Sequence, residues 1–108
     1  MSENARLLVS EKVIYTIVRT AIMQSPAVYG LKNSRRNFVD YLLKAKAPSP
    51  IKIYAREDAV FIDVTVVLKN GKNIKAEAKQ IQQLVKNAVQ DEVGIAVSKV
   101  NVKVAGVK

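Results

Sequence analysis

The sequence predicts an α+β domain, a two-layer α/β sandwich with two main helices on one face of a sheet of three main strands. Two observations carry this. Apolar residues recur at three- and four-residue steps in two long segments, and at two-residue steps in three others. A third observation fixes the order: helix, variable stretch, strand, strand, helix, strand. A sheet with one apolar face needs a helical layer over it.

The first helical segment runs over 10–25, where Val13, Ile14, Ile17, Val18, Ala21 and Ile22 form one stripe. Ser10 is placed to cap it, Glu11 suits its first turn, and Pro26 closes it. Residues 7–9 ahead of it read as a short fourth edge strand or an extended lead-in. Residues 26–50 read as a variable excursion. Within it Tyr29-Gly30 has the composition of a turn. Phe38, Val39, Leu42 and Leu43 give 35–45 a short helical period, and Pro48 and Pro50 punctuate the end of the excursion.

Strand patterns come next. Ile51, Ile53 and Ala55 alternate with Lys52, Tyr54 and Arg56, and Glu57-Asp58 makes a tight connection. Val60, Ile62, Val64, Val66 and Leu68 then alternate with Phe61, Asp63, Thr65 and Val67, so the two runs read as a hairpin. Asn70-Gly71 supplies a turn. Ile74, Ala78, Ile81, Leu84, Val85, Ala88 and Val89 form the second helix stripe, with Asn73 as its cap and Gly94 at its left-handed end. Val100, Val102 and Val104 alternate with Lys99, Asn101 and Lys103 in a last strand, which Gly106 is expected to end. A crossover between strands at 59 and 104 is right-handed if the two are parallel neighbours.

At 108 residues, 1–108 reads as a single domain with one modest core. The chain has neither histidine nor cysteine, which removes disulfides, thiolate nucleophiles, imidazole bases and the usual zinc ligand sets. No cofactor is expected. No apolar run is long enough for a transmembrane segment, and the first residues lack a signal-peptide pattern, so a cytoplasmic location is expected. Eighteen Lys plus Arg against nine Asp plus Glu leave a net charge of +9, a field that attracts anions without naming one.

Several segments together resemble one family. Val9-Ser-Glu-Lys-Val-Ile14 is similar to the entry into that family's first helix, and 51–68 resembles its central hairpin, with Asp63 on the strand aspartate. Gly71 and the run from Ile74 to Val89 follow its second helix, with Ile81-Gln82 and Val85-Lys86 matching residue by residue. Val93-Gly94-Ile95 and Val100-Asn-Val-Lys-Val-Ala-Gly-Val107 resemble its closing strand. The chain thereby resembles the alkaline shock protein family, linked to envelope stress. It departs from the pattern in Lys75-Ala76, where the family has Pro-Glu, in Lys103, and in being basic where members are often acidic. The resemblance implies a non-enzymatic cytoplasmic scaffold that self-associates as a homo-oligomer. It also implies docking to a small membrane-anchored relative, so that the chain reaches the membrane through a partner.

The residues themselves offer no catalytic constellation. Asp58 and Asp63 have odd spacing and fall on opposite strand faces, and Asp63 is expected to pair with a strand lysine. No serine has a histidine to activate it. Lys75, Lys79 and Lys86 recur on one helix face, with Lys72 beside them and Arg35 and Arg36 in the excursion. These six are the candidate anion- or partner-binding surface, and a solvated face is their plainer reading. The alternative function is a basic nucleic-acid-binding module contacting phosphates. The layout is similar to K-homology RNA-binding domains, but the Gly-x-x-Gly loop is missing, since glycines 30, 71, 94 and 106 are isolated. Tyr54, Phe61, Thr65 and Val67 form the candidate self-association face, unless the 26–50 excursion folds over it.

Overall fold

The computed structural model describes residues 10–33, 49–56, 59–69 and 73–108. Its elements are α1 (Glu11–Met23), β1 (Val28–Leu31), β2 (Ile51–Arg56), β3 (Ala59–Leu68), α2 (Ile74–Val93) and β4 (Ala96–Val107). This is the predicted two-layer α+β sandwich, with four strands among the described residues. The expected connection at 57–58, the expected turn at Asn70-Gly71, the strand option at 7–9 and the helical period at 35–45 lie outside those residues.

Both helices begin where the sequence places them. Ser10 Oγ accepts the Val13 N–H at 3.2 Å, and Asn73 Oδ1 accepts the Ala76 N–H at 3.1 Å. Gly94 closes α2 with a φ of 74°, a left-handed conformation that suits glycine. The helices bury Ile14, Val18, Ala21 and Ile22 from α1, and Ile81, Val85 and Val89 from α2. All of these except Ala21 meet Ile51, Ile53, Val60, Ile62, Val64, Val66, Leu68, Val97 and Val100 from the sheet in one core. The helical stripes are narrower than their sequence period, for Val13 is 48% and Ile74 41% exposed. Each stands in the first turn of its helix.

Strand β3 is central. It pairs antiparallel with β2 from Ile51↔Val64 to Arg56↔Ala59, and antiparallel with β1 at Val28↔Leu68 and Leu31↔Val66. It pairs in parallel with β4 along its whole length, from Ala59↔Ala96 to Leu68↔Val107. Since β4 takes one edge of β3, β1 and β2 share the other, end to end. Their junction is Thr65, whose N–H donates to Pro50 O at 2.9 Å and whose carbonyl accepts the Lys32 N–H at 3.1 Å.

Two local expectations are corrected. Tyr29-Gly30 is no turn but part of strand β1, where a register shift between Val28 and Gly30 leaves Tyr29 as an extra residue. Gly106 does not end the last strand. A second shift accommodates it opposite Val67, and pairing continues to Val107. The expected excursion over 26–50 therefore loses its start, since 28–31 is already sheet.

Candidate interaction surfaces

The outer face of the sheet carries the second side-chain set of each strand. Strand β3 contributes Phe61, Asp63, Thr65 and Val67 down the middle. Tyr54 of β2 stands opposite Phe61, and Lys52 opposite Asp63. On the other side Lys99, Asn101 and Lys103 of β4 stand opposite Phe61, Asp63 and Thr65. Both described helices lie on the opposite face, so no described element covers this one. Tyr54, Phe61, Thr65 and Val67 share this face, but they are not equally available. Tyr54 is 50% exposed, Phe61 and Val67 are half-buried, and Thr65 is only 5% exposed. Thr65 sits at the β1/β2 junction with strands on both sides, so its neighbours close over it.

Among the described residues Asp63 takes its side-chain hydrogen bond from Asn101 in place of the expected lysine. Its Oδ1 accepts from Asn101 Nδ2 at 2.8 Å, across the β3/β4 ladder. At the far end of β3 the Lys108 ammonium lies 5.2 Å from the centre of the Tyr29 ring. That is within cation–π range, and the sequence pattern gives no sign of it.

The second surface is built by α2. Lys75, Lys79 and Lys86 are all exposed and within about 40° of one another around the helix, at roughly 100° per residue. Gln82 and Gln90 lie on the same flank. Gln82 Nε2 donates to the Val100 carbonyl at 3.0 Å, and the Val97 N–H donates to Gln90 Oε1 at 3.3 Å. Both partners belong to β4, so the lysine flank of α2 leans toward that strand, away from α1. Arg35, Arg36 and Lys72 lie outside the described residues. Among the described residues no three His, Cys, Asp or Glu side chains group as a metal site, and no helix is long and apolar enough to cross a membrane.

Among the described residues these features define a small α+β domain with an open sheet face and a lysine-flanked edge strand. Residues 1–108 match the alkaline shock protein 23 family, of cell envelope-related function, and the chain belongs to that family. It is 29% identical over 102 residues to the uncharacterised protein Spy1535 of Streptococcus pyogenes serotype M6, covering 94% of this chain and 78% of that one. Among solved structures it is similar in fold to the MamM CTD, with a TM-score of 0.56 at 11% identity, over 90% of this chain and 99% of that one. A manganese form of the MamM CTD gives a TM-score of 0.55 at 11% identity, over 90% and 99% of the two chains.

Proposed function

We propose that the chain is a non-catalytic scaffold of the envelope stress response. It works as one domain in the cytoplasm, self-associating and docking partners, and it reaches the membrane through a small membrane-anchored relative. One observation carries this reading: the outer sheet face is uncovered among the described residues and presents the half-exposed Tyr54 ring beside Phe61, with Val67 further along. An aromatic centre with a polar rim is the usual make-up of a protein-binding patch. Family membership supports the envelope setting. The absence of histidine and cysteine from the sequence supports a binding role over acid–base or thiol chemistry.

Light scattering over a range of protein concentrations tests the proposal. The native chain should gain mass with concentration. The double substitution Tyr54→Lys and Val67→Lys should hold it at monomer mass with an unchanged circular dichroism spectrum. A native chain that stays monomeric throughout overturns self-association.

A further inference from the structure

We propose that the free edge of β4 is a docking site for an extended, acidic segment of another protein, added as a further strand. The proposal concerns a different surface from the outer face and does not depend on self-association there.

Strand β4 has twelve residues and pairs with β3 alone among the described strands. A strand paired on one side turns alternate N–H and C=O groups toward its open side, where they can pair with another chain. On this strand the helix side chains Gln90 and Gln82 engage Val97 and Val100. Beyond them, around Val102 and Val104, the edge continues to Val107, whose side chain is itself exposed.

Charge decides what fits there. The edge runs between two rows of exposed lysines. Lys75, Lys79 and Lys86 lie on the flank of α2 whose Gln82 and Gln90 bond β4, and Lys99 and Lys103 stand on its outer-face side. Strand β4 contains no acidic residue. A second copy of β4 would bring lysines against lysines, an unfavourable cross-strand pairing. A strand with Asp or Glu at alternate positions would set its carboxylates against these rows while its backbone pairs with the edge. Main-chain bonds would supply affinity and the lysines selectivity.

The probe is a fluorescent peptide alternating Glu with Val and Thr, titrated against the full chain and followed by anisotropy. It should bind, and raised salt should weaken it by screening. Lys99→Glu with Lys103→Glu, and separately Lys79→Glu with Lys86→Glu, should each weaken it roughly tenfold. All four positions are exposed, so folding should survive, and circular dichroism checks this. A peptide with proline at alternate positions keeps the charge but loses backbone donors, and should fail to bind. Amide shifts on titration should centre on Val102 and Val104. Equal binding of the proline peptide, or shifts elsewhere, overturns strand addition. No binding of the acidic peptide, or tighter binding of random duplex DNA through the same lysines, overturns the acidic-segment partner. Light scattering of the Lys79→Glu, Lys86→Glu variant, whose changes lie on α2 away from the outer face, separates the two surfaces: unchanged self-association beside lost peptide binding leaves the outer-face reading standing.

Discussion

Asn101 Nδ2 donates to Asp63 Oδ1 at 2.8 Å, tying the middle of β4 to the middle of β3 on the sheet's outer face. The two residues stand directly opposite in a parallel ladder. The bond to a carboxylate is charge-assisted, but Asn101 is exposed and water competes for both groups. A double-mutant cycle of Asp63→Ala and Asn101→Ala, followed by urea unfolding, should give a coupling of about 0.5–1 kcal/mol. A coupling indistinguishable from zero would mean the bond merely replaces equivalent bonds to water.

Gly94 isolates a backbone effect. Its φ is 74°, yet a Cβ built there meets nothing within 4 Å. Gly94→Ala should therefore cost about 1 kcal/mol through conformation alone. Gly94→Asn should cost less, because asparagine tolerates the left-handed region. Thermal melts of the two variants check the order. Equal melting temperatures would show that α2 can end differently without penalty.

The core and the open face should separate stability from association. Ile62 is wholly buried at the centre of β3, facing both helices. Ile62→Ala should lose roughly 2–5 kcal/mol, a large part of the stability of a domain this size. Tyr54→Lys, at a half-exposed position opposite Phe61, should lower the unfolding free energy by only about 1 kcal/mol while removing self-association. Urea titration and light scattering on both proteins give the comparison.

The elements that sequence shows most clearly are those set by local chemistry. Ser10, Asn73 and Gly94 act on their own backbone neighbours, so composition and position suffice to place them. The long alternation of β3 is equally plain. Strand β1 is not, because its pairing depends on distant β3 and its alternation is broken by the extra residue Tyr29. The burial of Thr65 is hidden for the same reason: two strand ends meet beside it. The lysine row of α2 is visible as a helical period. Its place over β4 is not, since that depends on α1 packing against the other side of α2 and on the parallel β3/β4 pairing.

The junction at Thr65 leads to the last prediction. Described residues on either side of 34–48 meet at this junction: the Lys32 N–H bonds the Thr65 carbonyl, and the Pro50 carbonyl takes the Thr65 N–H. Both lie beside one residue, so a short link can join them without disturbing the ladder. Ser49 contributes locally, since its hydroxyl donates to the Ile51 carbonyl, and should be kept. Replacing 34–48 with a short Gly/Ser linker shortens the connection between β1 and β2, and closure entropy changes by only about 0.6 kcal/mol per halving of length. The shortened chain should thus fold with its strand content intact and a melting temperature within a few degrees of the native one. Circular dichroism and a thermal melt provide the readout. Loss of the fold would show that 34–48 belongs to the domain's stable structure. Retained fold with lost self-association would assign those residues, Arg35 and Arg36 included, to the association surface instead.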